Sequence, residues 1–207
     1  MRLENSFFAM IARLRHIRRW CLMRNSYDEN VQEHSHMTAV LAHALALIRR
    51  DVFHGEADPE RCAAVALFHD GSEIITGDLP TPIKYHSPEI HAAYQQVEEL
   101  ACEKLLATLP EKLRAAYTPI LTGEVQQRQY DLVKAADKLS AYLKCIEERK
   151  AGNNDFLSAE AQTRAALEEN PLPEVKYFLK HFVPAFELTL DELGTIDTEG
   201  KHGTEQD

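Results

Sequence analysis

Residues 58–70 read DPERCAAVALFHD, and this segment determines the fold class. Asp58 is a favourable N-cap residue and Pro59 suits the first position of a helix, so a helix is predicted to begin here. The apolar residues that follow recur at helical spacing and are Cys62, Val65 and Ala66. The segment ends in His69-Asp70, and a carboxylate rarely joins so apolar a helix unless its charge is compensated. We therefore expect an amphipathic helix with functional polar residues, His69 and Asp70, at its end.

The same helical spacing continues on both sides of this segment, from about residue 7 to about residue 193. Asn30, with Glu33 three residues later, forms the capping-box pattern of a helix start. Further helices are predicted near Phe7, from Ser87, from Pro110, through Val133 and Leu143, at about 158–169 and at about 173–193 with a bend at Pro184. The stretch TGDLPTP at 76–82 interrupts the pattern with one glycine and two prolines. The sequence thus predicts one all-α domain of about seven to nine helices over residues 1–194, and a polar tail at 195–207 that we expect to be disordered.

Composition narrows the functional classes. The chain has 207 residues, 44% of them hydrophobic, and a formal net charge of −10 at pH 7. So acidic a chain argues against a long nucleic-acid ligand, and no apolar run approaches the roughly 18 residues that a membrane span needs. The first twenty residues are too charged throughout for a signal peptide. The four cysteines follow no metal-binding spacing, so we expect free thiols in a cytoplasmic protein.

Residues that commonly bind metals recur in core-facing helical patterns. His34 lies on the apolar side of the second predicted helix, and Asp137 lies one turn after Val133. The stripe shared with His34 is Met37, Leu41, Leu45, Ile48 and Val52. Three helices could therefore bring His34, His69, Asp70 and Asp137 to one metal ion inside a bundle. Glu73, one turn beyond His69, can reach the same point.

The order His, His-Asp, Asp on successive helices resembles the HD-domain metal-dependent phosphohydrolases. Further motifs resemble the bacterial HD-domain 5′-deoxynucleotidases. These motifs are RRW at 18–20, ENVQEHS at 29–35, HDGSE at 69–73, TGDLPTPIK at 76–84, KAAD at 134–137, AYLKC at 141–145 and AGNN at 151–154. The resemblance covers residues 5–193, and its most specific part is the TGDLPTP loop together with Arg19-Trp20. Gly71 departs from it, because the family carries a small alanine there.

This resemblance implies an HD-domain-like helical fold with His34, His69, Asp70 and Asp137 as metal ligands. Two imidazoles and two carboxylates without a thiolate suit Co²⁺, Mn²⁺ or another first-row divalent cation. Such a cation would lower the pKa of a bound water and polarise a phosphoryl oxygen. Glu73 would then hold or deprotonate that water.

The resemblance also implies the substrate contacts. Arg19 would orient the phosphate and offset transition-state charge, and Trp20 would pack near the sugar 2′-position, where bulk excludes a ribose hydroxyl. Asp78 would contact the sugar hydroxyl or assist departure of the 5′-oxygen. The remaining implied substrate contacts are Asp70, Leu79, Pro80, Thr81 and Asp137. The prolines of the 78–81 turn would hold its polar groups preorganised.

These inferences predict a metal-dependent 5′-deoxynucleotidase that hydrolyses deoxyribonucleoside 5′-monophosphates to deoxynucleosides and phosphate. The resemblance adds a homodimer. One alternative is an HD hydrolase of a nucleoside triphosphate or an alarmone, although such highly charged substrates would be expected to recruit more basic residues. A second alternative is a helical sensor module that keeps the metal site without turnover.

Overall fold

The helices were located in a computed structural model that describes residues 5–84, 86–124 and 127–194, so the predicted tail lies outside the described residues. They are α1 (Phe7–Ile11), α2 (Val31–Leu47), α3 (Pro59–Phe68), α4 (Glu73–Thr76), α5 (Thr81–Lys84), α6 (Pro88–Leu106), α7 (Glu111–Leu121), α8 (Gln127–Lys150), α9 (Leu157–Glu168) and α10 (Pro173–His181). Short 3₁₀ turns cover Ala12–His16, Asn154–Phe156 and Val183–Glu187, and a π-helical turn at Ile48–Val52 extends α2. The predicted all-α class is confirmed.

The centre of the molecule is a bundle in which α2 packs against both α3 and α8. The hydrophobic side chains buried in this bundle include Leu41, Leu45, Val65, Leu132, Leu139 and Ile146. A second apolar cluster joins α1, α6 and α7 and consists of Phe7, Leu105, Leu106, Leu109 and Leu121. The predicted convergence of three helices is therefore found in α2, α3 and α8.

Three predicted helix starts are confirmed by their capping hydrogen bonds. The Asn30 side chain accepts from the Glu33 N–H at 3.0 Å, and the Glu33 carboxylate accepts from the Asn30 N–H at 3.2 Å. Asp58 and Ser87 likewise accept from backbone N–H groups at the starts of α3 and α6. Each cap supplies a partner that the first turn of a helix lacks.

The structure departs from the predicted helices in two places near the site. The third helix ends at Phe68, residues 69–72 form a turn, and Glu73 begins a separate short helix. In that turn the N–H groups of His69 and Gly71 bond to carbonyls three residues back, which tightens the chain. The predicted break at 76–82 is confirmed, but α5 already begins inside it at Thr81.

Two further differences lie at the edges of the bundle. Met37 and Val52, at the two ends of the predicted apolar stripe on α2, are 37% and 42% exposed, because only its middle faces α3 and α8. The last predicted helix ends at His181 rather than at 193. Pro184, which lacks an N–H donor, lies in the following 3₁₀ turn.

All four cysteines are free thiols, as the sequence predicted. Cys62 and Cys145 are buried, Cys102 is half-buried and Cys21 is exposed. Among the described ranges, none of the helices combines the length and the apolar character that crossing a bilayer requires.

Candidate metal and phosphate site

The structure brings the four sequence-predicted ligands together. His34 on α2 lies with its Nε2 atom 3.0 Å from Asp137 Oδ1 on α8 and 3.6 Å from Asp70 Oδ2. The Nε2 atom of His69 lies 3.1 Å from Asp70 Oδ2 and 3.8 Å from Asp137 Oδ1. One ligand atom each from His34, His69 and Asp70 falls within 4.8 Å of the others. Residues 34, 69–70 and 137 therefore form one cluster, here called the ligand cluster.

The outward nitrogen of His69 fixes how its inward nitrogen can behave. His69 Nδ1 lies 2.6 Å from the carbonyl oxygen of Ala66, which can only accept, so this nitrogen carries a hydrogen. His34 Nδ1 lies 3.1 Å from the hydroxyl of Ser140. With Nδ1 protonated, a neutral imidazole presents only the Nε2 lone pair to the carboxylates of Asp70 and Asp137.

An imidazole lone pair and a carboxylate oxygen that face each other repel unless a positive charge lies between them. The buried His69 Nε2 indeed has no well-aligned hydrogen-bond partner among the described residues. In the protein alone the charge comes from a proton: burial lowers the pKa of His69, but Asp70 and Asp137 outweigh it and raise the pKa to about 10. A divalent cation would supply the same charge to the same atoms, and the mixed imidazole and carboxylate donors fit such an ion. The ligand cluster can therefore hold a metal.

The two carboxylates of the ligand cluster respond in the opposite sense. Burial favours their protonated forms, but the nearby histidines hold the pKa values of both Asp70 and Asp137 below the ordinary range. Both groups are thus poised as anions, which is the form that ligates a cation.

Glu73 lies buried at the start of α4, although it shares no helix with His69. The residue is 7% exposed, and its Oε2 atom has no hydrogen-bond partner in the part of the chain that the structure describes. Burial, together with the charges of Asp70 and Asp78, raises the pKa of this carboxyl to about 9. Glu73 therefore has a strong affinity for a proton next to the ligand cluster.

Arg19 borders the ligand cluster on the side of Asp70. Its Nη1 atom lies 3.6 Å from Asp70 Oδ2, and its side chain is 13% exposed. Burial lowers the pKa of the guanidinium, but Asp70 and Glu29 outweigh it and keep the pKa raised. A fixed cation with unused donors at the edge of a metal site is suited to binding phosphate.

Trp20 follows Arg19 in an uncommon backbone conformation. Its φ of +56° lies in the left-handed region, which bulky residues rarely adopt. The indole ring packs on Phe156 with ring centroids 5.2 Å apart, and its N–H donates to Glu29 Oε2 at 2.9 Å. The carbonyl of Trp20 accepts from the Met23 N–H at 2.9 Å. Several contacts thus hold the residue in a strained position.

The loop after α4 carries the remaining predicted substrate residues, of which Asp78, Leu79 and Pro80 are all half-buried. Burial raises the pKa of Asp78, Arg19 opposes that rise, and Asp70 adds to it. The side chain of Thr81 lies outside the described residues. The hydroxyl of Tyr94 on α6 donates to the carbonyl of Gly77 at 3.4 Å and so ties the loop to the bundle.

Sequence reasoning missed three polar residues that support this site. Ser140 contacts His34, Glu29 contacts both Arg19 and Trp20, and Glu148 on α8 binds the chain near residue 26. Glu148 follows Asp137 by eleven residues, three turns along the same face of α8, so the reasoning that selected Asp137 could have found it. Glu29 precedes a helix in a polar stretch and offers no such signal.

A helical bundle in which one helix supplies a histidine, the turn after the next helix a His-Asp pair and a later helix an aspartate defines an HD-domain phosphohydrolase. An HD-domain phosphohydrolase from Listeria innocua has this architecture, with a TM-score of 0.77 and 25% identity over 87% of this chain and 88% of that chain. A cyanophage S-2L HD phosphohydrolase shares the fold, with a TM-score of 0.54 and 24% identity over 83% of this chain and 90% of that chain.

The sequence relatives are more specific. The chain belongs to the YfbR-like 5′-deoxynucleotidase family, whose model matches residues 6–186. A 5′-deoxynucleotidase of Erwinia tasmaniensis is 48% identical over 92% of this chain and 97% of its own length. A 5′-deoxynucleotidase of Vibrio parahaemolyticus is 48% identical over 92% of this chain and 98% of its own length. The resemblance seen in the sequence motifs is confirmed.

Proposed function

We propose that this protein hydrolyses deoxyribonucleoside 5′-monophosphates to deoxynucleosides and phosphate. The observation that carries the proposal is the position of Arg19-Trp20, which places a guanidinium 3.6 Å from Asp70 of the ligand cluster and an indole immediately beside it. A phosphate bound between the cluster and Arg19 leaves its sugar within reach of Trp20. Membership of the YfbR-like family supports the same substrate class.

His34, His69, Asp70 and Asp137 would hold one divalent cation, of the Co²⁺ or Mn²⁺ type. When bound, such an ion supplies Lewis acidity to a phosphoryl oxygen and lowers the pKa of a water molecule. Donors of imidazole and carboxylate type support a first-row ion over a thiolate-bound structural zinc. The cyanophage enzyme is described with one catalytic Zn²⁺ and bound dA, so zinc belongs among the ions to be compared.

Glu73 is proposed as the group that takes the proton from water. A cation held by the ligand cluster would lower the pKa of Glu73 from about 9, because nearby positive charge favours the carboxylate. The ionised carboxylate, whose Oε2 atom has no hydrogen-bond partner among the described residues, can then take that proton as the water oxygen attacks phosphorus. Arg19 offsets the charge that develops on the phosphoryl oxygens while the bond from phosphorus to the 5′-oxygen breaks.

Asp78 is proposed to complete the reaction on the leaving-group side. Its raised pKa favours the protonated carboxyl, which can donate a hydrogen to the departing 5′-oxygen or to a sugar hydroxyl. Leu79, Pro80 and Thr81 are proposed to line the sugar on the same loop, where two prolines limit the conformations of the chain. We also propose, from the family resemblance, that the protein acts as a cytoplasmic homodimer.

The test is phosphate release from paired deoxyribo- and ribonucleoside 5′-monophosphates. The protein is stripped of metal and then given Mn²⁺, Co²⁺, Zn²⁺ or Mg²⁺ in parallel. We expect release from the deoxy substrates only and only after a metal is restored. Release of pyrophosphate or triphosphate from nucleoside triphosphates, or no release from any monophosphate by protein with bound metal, would contradict the proposal.

A matched variant checks the chemistry. Glu73→Gln keeps the size of the side chain and removes its ability to take a proton, so kcat is expected to fall by about 100-fold or more. Its affinity for Mn²⁺, measured by calorimetry, is expected to stay near that of the unsubstituted protein, because Glu73 is not among the proposed ligands. A large loss of metal affinity in this variant would assign Glu73 to the ligands instead.

A further inference from the structure

The chain between residues 17 and 31 forms a closed loop, here called the 17–31 loop. At its base the Val31 N–H donates to the Ile17 carbonyl at 3.0 Å, and the Arg19 N–H donates to the Glu29 carbonyl at 2.9 Å. An isolated β-bridge links Arg18 and Asn30. Both ends are thus fixed, and the second end continues directly into α2, which carries His34.

Within the 17–31 loop one carboxylate oxygen serves two neighbouring donors. Glu29 Oε2 accepts from Arg19 Nε at 3.1 Å and from the indole N–H of Trp20 at 2.9 Å. The side chains of Arg19 and Glu29 are only 13% and 14% exposed, so solvent screens this pair little. Hydrogen bonds to an ionised acceptor are stronger than those between neutral groups.

This arrangement leaves the other donors of Arg19 free of Glu29. Nε points to the carboxylate, while Nη1 lies on the side of Asp70 at 3.6 Å. Because the guanidinium is planar, fixing Nε also fixes the direction of the remaining N–H groups. The same oxygen fixes the indole through its N–H, and the ring also packs on Phe156.

We propose that Glu29 is a positioning residue that couples phosphate alignment by Arg19 to sugar selection by Trp20. This inference rests on the proposed function, and it adds that the two neighbours act as one unit held by a shared acceptor. Loss of that acceptor frees the indole to move away from the sugar and so admits a ribose hydroxyl. The left-handed backbone at Trp20 supports the inference, because such a conformation persists only where surrounding contacts enforce it.

The experiment compares Glu29→Met, Glu29→Gln and a control. Methionine keeps the length of the side chain without a strong acceptor, and glutamine keeps an acceptor oxygen without the charge. Asp28→Asn is the matched control, because Asp28 pairs with Arg18 at 3.2 Å but both side chains are more than 60% exposed. For each protein the ratio of kcat/KM between dAMP and AMP is measured with saturating Mn²⁺.

We expect the deoxy-to-ribo ratio to fall roughly tenfold in Glu29→Met, by a smaller factor in Glu29→Gln and not at all in Asp28→Asn. Trp20 is the only tryptophan in the chain, so its fluorescence reports its position without substrate. Quenching of this fluorescence by acrylamide is expected to increase most in Glu29→Met, less in Glu29→Gln and not at all in Asp28→Asn. Unchanged selectivity and quenching in both Glu29 variants would overturn the inference, as would an equal effect in the control.

If Glu29→Met does not fold, Glu29→Gln decides alone, and full retention of selectivity and quenching in that variant overturns the inference. The two proposals fail in different ways. Absence of a deoxy preference in the unsubstituted protein overturns the proposed function, whereas a preference that both Glu29 variants retain overturns only the role of Glu29.

Discussion

Two groups of charges lie on the same face of α8 and are built in opposite ways. Around Glu148, which is fully buried, the protein supplies every partner: the N–H groups of Ser26 and Tyr27, the ammonium of Lys144 and the amide of Asn153. Around Asp137, three turns earlier, carboxylates face imidazole nitrogens, and His69 Nε2 lacks an aligned partner.

This difference in hydrogen-bond partners distinguishes a structural group of charges from one suited to binding a ligand. A buried carboxylate with several donors is stable as it stands and needs nothing from outside the protein. In the ligand cluster, carboxylate oxygens and imidazole lone pairs face one another, and this arrangement is stable only when protons or a cation supply positive charge. The Glu148 network therefore stabilises the fold, and the ligand cluster is suited to holding a cation.

The largest expected effect comes from removing a proposed ligand. Asp137→Ala leaves the helices intact but deletes one of the two carboxylates, so Mn²⁺ binding and hydrolysis are both expected to be lost. The loss of activity should exceed about 100-fold, the upper range for residues that merely orient a metal ligand. Calorimetric titration with Mn²⁺ and phosphate release measure the two effects, and circular dichroism checks the helices. Retained hydrolysis would remove Asp137 from the ligands.

The opposite result is expected for Glu148→Gln. This change leaves the Lys144 ammonium buried without its charged partner, so the free energy of unfolding is expected to fall by about 3–5 kcal/mol. Urea denaturation measures the change. At a temperature where the variant is folded, its affinity for Mn²⁺ should match that of the unsubstituted protein. A metal affinity reduced as far as in Asp137→Ala would show that the two groups of charges are not separate.

The pH dependence of that destabilisation sharpens the comparison. Burial alone would raise the pKa of Glu148, but hydrogen bonds from Lys144, Asn153 and two backbone N–H groups hold it at about 2, below the 4.5 of an unperturbed glutamate. A lowered pKa stabilises the folded state above pH 4.5, and this contribution disappears as the pH falls toward 2. The difference in unfolding free energy between the unsubstituted protein and Glu148→Gln should therefore shrink between pH 7 and pH 3. A constant difference would contradict this assignment.

The smallest expected effect concerns the turn beside Asp70. A methyl group added at Gly71 would lie 2.8 Å from Leu121 Cδ2 and 3.0 Å from the carbonyl oxygen of Phe68. Gly71→Ala is expected to destabilise the protein by about 1 kcal/mol, the lower range for overpacking, because the Leu121 side chain can move aside. Thermal denaturation measures this, and Mn²⁺ affinity should stay within about twofold of the unsubstituted value. An increase in stability would show that the turn has room for alanine.

Much of the fold could be predicted from local signals. Each helix cap accepts a hydrogen bond from an N–H group three residues later, as seen for Asn30, Asp58 and Ser87. Their capping roles can therefore be predicted from a few neighbouring residues. The residues of the ligand cluster could also be selected, since His34 and Asp137 are polar residues in apolar patterns. The end of α3 at Phe68 could not be predicted. The helical pattern in the sequence continues to His69, whereas in the structure the helix ends one residue earlier and His69 lies in a turn. Glu29 was beyond prediction because its partners meet it only through loop geometry.

The links between the 17–31 loop and α8 have a consequence for protein synthesis. Ser26 and Glu148 are 122 residues apart in sequence, and Arg24 and Asn153 are 129 apart. His34 and Asp137 are separated by 103 residues. A chain emerging from the ribosome therefore cannot assemble either group of charges until α8 has left the exit tunnel, late in translation. Chains cut off before that point lack both Asp137 and the anchor of the loop, so we expect a truncated product to be inactive rather than an unselective phosphatase.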